Sequence, residues 1–80
     1  MSEGLKFQGR LAEKELAVKK LNLQAAGLID LVRDKIDPFE SVENLEIEVA
    51  FQAMASLMNI IIELRATLNE IEAIEKALGS

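Results

Sequence analysis

Apolar residues recur along the chain at steps of three, four and seven, and a single break divides the pattern in two. In the first half Phe7, Leu11, Val18, Leu21, Ala25, Leu28 and Val32 fall on one face of a helix. They predict a first helix over about residues 3–36. In the second half Ile47, Met54, Ile61 and Leu68 hold one heptad position, and Ala50, Leu57, Leu64, Ile71 and Leu78 hold the other. A repeat sustained over about four to five heptads reads as a coiled-coil seam. It predicts a second helix over about residues 38–78, with Gly79 as its stop.

The break is Ile36-Asp37-Pro38-Phe39-Glu40. Proline disfavours helical geometry in the residue before it, which ends the first helix near Ile36. Asp37 then reads as N-cap of the second helix, Pro38 as its first residue and Glu40 as the reciprocal capping partner. A turn at Asp37-Pro38 makes the helices antiparallel. Equal rise per residue then puts at one height those positions whose numbers sum to about 75. Leu11 meets Leu64, Val18 meets Leu57, Leu21 meets Met54, Ala25 meets Ala50, and Lys6 and Arg10 approach Glu70 and Glu63.

A two-helix hairpin buries one stripe per helix, and this chain has more. From Val49 to Ile62 no residue is charged, and Phe51, Ala55, Met58 and Ile62 form a second line there. On the first helix Leu16, Leu23 and Leu31 point away from the seam. Left open to water, these large side chains forgo about ten kcal/mol of burial. The pattern therefore predicts an all-α hairpin, one domain over residues 1–80, that dimerises into a four-helix bundle through Leu16, Leu23, Leu31, Phe51, Ala55, Met58 and Ile62. Two small residues before Gly27 allow a second reading, close approach of another helix there.

Composition narrows the chemistry. The 80 residues are 50% hydrophobic and 29% charged, with 4% aromatics, which suits helices packed on helices. There is no Cys and no His, so disulfides, thiol nucleophiles, histidine bases and histidine-containing metal sites are excluded. Stabilisation of so small a chain is then expected from partner chains. Net charge is −5, carried by the second half: residues 38–80 hold eight acids and two bases. That balance disfavours nucleic acid and anionic lipid as partners. The opening Met1-Ser2-Glu3-Gly4-Leu5 is unlike a signal peptide, and an uncharged run of fourteen residues is short of the roughly 20 that span a bilayer. A cytoplasmic protein is expected.

Two constellations qualify as candidate chemistry. Ser56 with Lys14 is a formal nucleophile–base pair, but a register sum of 75 sets Lys14 beside Ile61, over a turn away. Glu43 and Glu46 are a formal oxygen-ligand pair for Mg²⁺ or Ca²⁺, against the simpler reading of a solvated acidic face. Gln52 and Asn59, one heptad apart, are a polar strip or a register-setting pair. The reading that follows is a non-enzymatic assembly module, without cofactor or metal, whose partner is itself and in second place another helical protein. A subunit of a larger hetero-complex or filament is the alternative, and a bundle with a small-molecule or carboxylate-metal site the third.

Overall fold

The computed structural model describes residues 3–79; Met1, Ser2 and Ser80, part of the expected domain and of the opening segment, lie outside the described residues. Two α-helices, α1 (Glu3–Lys35) and α2 (Ile47–Gly79), pack side by side as a hairpin of 62 × 16 × 14 Å. Among the described residues the only other element is a 3₁₀ turn at Val42–Asn44.

Helix α1 ends where the proline rule places it. Ile36 N–H donates to Val32 O at 2.9 Å, and Arg33 and Lys35 in the last turn suit the negative end of the helix dipole. Helix α2 begins nine residues later than the capping pattern predicts. Asp37 therefore caps no helix: its Oδ1 accepts from Phe39 N–H at 2.9 Å as an Asx turn, and the backbone closes into a turn with Glu40 N–H on Asp37 O at 3.1 Å. Glu40 does not reach back to cap; its Oε1 accepts from Ser41 N–H and from the Asn44 amide. Ser41, Val42 and Asn44 are weak helix formers, and Glu40, Glu43 and Glu46 would stack like charges at three-residue steps. Those costs favour a connection over a helix between residues 36 and 46. At the far end Gly79 is the last residue of α2 and has no left-handed backbone.

The longer connection resets the register. Two ion pairs tie the helices, Lys14–Glu70 and Lys35–Glu46, joining positions whose numbers sum to 84 and 81. Phe7 and Ile74 border one concavity and sum to 81. The hairpin is thus displaced by about one heptad from a sum of 75. Leu11 now lies level with Ile71, Val18 with Leu64, Ala25 with Leu57 and Val32 with Ala50. The charge pairing moves too: Lys14 takes Glu70, while the Arg10 guanidinium lies 5.8 Å from the centroid of the Phe7 ring.

Helix α1 presents the predicted stripe, with Leu21 buried and Phe7, Leu11, Val18, Ala25, Leu28 and Val32 half-buried. Lys14 and Lys35 complete it, each ion-paired across the seam. On α2 the inward line is Ala50, Leu57, Leu64 and Ile71, as predicted, but its companion is Ala53, Ile60, Thr67 and Ile74. Ile47, Met54 and Leu68, assigned to the seam by pattern, are about half exposed, Ile61 of the same line is half-buried, and Leu78 is exposed. Burying Thr67 in place of a wholly apolar line carries little penalty. Thr67 is the one polar residue among the four, and its hydroxyl is satisfied by donating to Glu63 O at 2.9 Å.

Candidate interaction surface

The hairpin leaves a large apolar surface open. No large side chain among the described residues is fully buried. The accessible surface is 6265 Å², against about 4,800 Å² for a compact monomer of 8.8 kDa. Of the exposed large apolar side chains among the described residues, eight lie on α2, five on α1 and three in the connection.

Rotating the α2 seam away from Ile47, Met54 and Leu68 hands those residues to the outer face. There they alternate with Phe51 and Met58 at steps of four and three, a second heptad track on the same helix. Phe51 is 71% exposed, Met58 65% and Ile62 58%, and Ala55 lies open beside them. Two shallow concavities mark this face. One of about 340 Å³ is walled by Phe51, Met54, Ala55 and Met58. The other, about 290 Å³, is walled by Met54, Leu57, Met58, Ile61, Ile62 and Arg65. They share Met54 and Met58 and so form one groove.

Charges bracket the groove without entering its middle. Glu48 precedes it and Arg65 closes it, and neither makes an ion pair within the hairpin. Arg65 was not singled out by pattern. Its signal was available: it is the only base between Lys35 and Lys76, and it falls on the outer heptad track.

Leu16 and Leu23 are also exposed, Leu23 at 75%, and Leu31 is open to a lesser degree. Leu23 follows Leu21 by two residues, about 200° of rotation, so it faces away from the seam. The α1 leucines therefore stand apart from the α2 groove within one hairpin. A third apolar group sits at the connection, where Ile36, Phe39 and Val42 are exposed. Gly27 faces solvent, and a Cβ built on it meets nothing within 4 Å, so the hairpin seam does not use it for close approach.

The candidate chemistry does not assemble. Lys14 pairs with Glu70, fourteen positions on from Ser56 and thus about 21 Å along the helix. Glu46 engages Lys35 across the base of the connection, and among the described residues no three carboxylates converge as a metal site. That contact, a hydrogen bond reinforced by Coulomb attraction, raises the Lys35 ammonium above its ordinary 10.5. Partial desolvation of Lys35 opposes the shift. Gln52 and Asn59 are exposed on α2.

By length and composition α2 also qualifies as a membrane-crossing helix, with mean hydropathy 1.5 over its best stretch, of which 11% is buried in the hairpin. Compared with protein-family models, curated proteins and solved structures, the chain has no significant match.

Proposed function

We propose that the chain is a non-enzymatic assembly module that associates with a second copy of itself through the outer face of α2. The observation that carries this reading is the groove of Phe51, Met54, Met58 and Ile62, exposed in a stretch with no charge. Contiguous apolar surface of that kind on a small protein marks a place where another surface packs. Two-fold self-association is the simplest way to cover it and generates a bundle of four helices. The lack of any fully buried large side chain among the described residues adds to the case, because a chain of this size needs further burial to be stable.

The test is a pair of substitutions. Met58→Glu with Ile62→Glu places two charges in the groove and is expected to convert a dimer to monomers, read as mass by light scattering on a sizing column. An unchanged mass would show that this face is not the interface.

A second reading has its own support in the hydropathy of α2, which a bilayer also satisfies. Its uncharged run of fourteen residues measures about 21 Å, against a hydrocarbon core of about 30 Å, and acidic residues flank it. Protein burial is therefore preferred. Co-flotation of the wild-type chain with neutral lipid vesicles would favour the membrane instead. A hetero-complex or filament role would show as fibres or aggregates of the purified chain rather than one discrete species.

A further inference from the structure

We infer that two copies pair α2 against α2 in antiparallel fashion, with Phe51 of each seated in the groove that ends at Arg65 of the other; this rests on the self-association proposed above and adds its orientation and contacts. The outer track of α2 has a centre of symmetry in its residue types. Phe51 and Ile61 have position numbers summing to 112, as do Met54 and Met58, and Glu48 and Arg65 sum to 113. In an antiparallel pair, positions with a constant sum are level, because both helices rise equally. One two-fold axis near Ser56 therefore aligns all three pairs at once. Ala55 beside that axis is small and exposed, so the helices can approach closely.

Charge selects this arrangement over the parallel one. Glu48 and Arg65 bracket the groove and have no ion-pair partner inside the hairpin. Antiparallel pairing sets Glu48 of each copy level with Arg65 of the other, giving two ion pairs at the ends of an apolar centre. Parallel pairing sets Glu48 on Glu48 and Arg65 on Arg65, and like charges across a seam disfavour that partner geometry.

Shape agrees with charge. Phe51 is the largest side chain on the face and is 71% exposed. Level with it on the second copy is the part of the 290 Å³ concavity walled by Met58, Ile61, Ile62 and Arg65. There the ring comes within a turn of the Arg65 guanidinium, the same kind of contact that Arg10 makes with Phe7 in this chain. Area is sufficient as well. Ile47, Phe51, Met54, Met58, Ile62 and Leu68 leave on the order of 100 Å² each, roughly 600 Å² per copy, at the lower end of the range around the ≈800 Å² per partner of a standard interface.

The absence of cysteine makes the orientation directly readable. Glu48→Cys and Arg65→Cys variants are prepared separately, mixed and oxidised with glutathione, and mass is measured on the reduced samples in parallel. Mixed Glu48→Cys/Arg65→Cys cross-links, with little linking within either variant alone, are the expected result, because identical positions then sit about 25 Å apart. Linking of each variant to itself would overturn the antiparallel arrangement, as would a dimeric mass without any cross-link. A monomeric mass for wild type would instead remove the self-association reading beneath it. Charge exchange gives an independent readout: Glu48→Lys or Arg65→Glu should each weaken the dimer about five- to tenfold, and the two together should restore it. No restoration would count against the pairing.

Discussion

Lys14 Nζ stands 2.6 Å from Glu70 Oε2, and this contact reaches from the apolar seam to its rim, the lysine half-buried and the glutamate exposed. Lys14 occupies an inward heptad position of α1, between Leu11 and Val18, and Thr67 lies nearly level with it on α2. Together they make one polar layer in an otherwise apolar stack. A register one heptad shorter would set the ammonium beside Ile61 instead. The polar layer thus selects among registers that the apolar repeat leaves equivalent, a role that single polar seam residues play elsewhere.

Replacing Lys14→Leu with Thr67→Leu should therefore raise the thermal midpoint while loosening the register. Spin labels at exposed Gln8 and Ala73 would report one distance in wild type and two populations in the variant. Glu70→Ala alone should cost only about 0.2–1 kcal/mol, since the pair is partly exposed.

Gly9 and Gly27 lie inside α1, and a Cβ at either meets nothing within 4 Å. Gly9→Ala and Gly27→Ala should each stabilise the chain by about 0.5–1 kcal/mol in urea denaturation, through reduced backbone freedom in the unfolded state. A destabilising Gly27→Ala would reveal a close helix contact at that position.

At the connection, Asp37→Ala should cost about 0.5–1 kcal/mol by releasing the Phe39 N–H. Phe39 is 96% exposed, so Phe39→Ser should change stability by less than about 0.5 kcal/mol. A larger loss on Phe39→Ser would mean that the connection packs against another chain.

The Lys35–Glu46 pair predicts a pH dependence at the alkaline end. Lys35 titrates above its ordinary 10.5 in the fold, so the folded state holds this proton more tightly than the unfolded chain. The contribution is complete below 10.5 and fades as pH rises through the raised value. Thermal midpoints of wild type and Lys35→Gln should differ at neutral pH and converge above that range. Parallel curves throughout would show that the pair adds nothing.

How much of this was legible in the sequence differs by element. Helix α1 and its stripe were legible because Phe7 to Val32 repeat without competition and proline marks the end. Register was not, because a seven-residue shift of a heptad seam sets Leu64 where Leu57 was and Ile71 where Leu64 was, apolar either way. Asp37-Pro38-Phe39-Glu40 carries the signature of a helix start, and only the weak helix formers and like charges after it argue for a longer connection. On α2 two heptad tracks share the Ala50, Leu57, Leu64 and Ile71 line. Pattern favours the wholly apolar companion track, while the fold buries the track containing Thr67 and turns Met54 and Leu68 outward. The exposed surface itself was foreseeable at Phe51, Met58 and Ile62, since a helix without charge for four turns cannot be covered by one neighbour.

Sedimentation equilibrium of the wild-type chain across micromolar concentrations tests the central claim most directly. Self-association through α2 predicts a single species of twice 8.8 kDa that dissociates only on dilution. A well-folded species of 8.8 kDa throughout that range would contradict it.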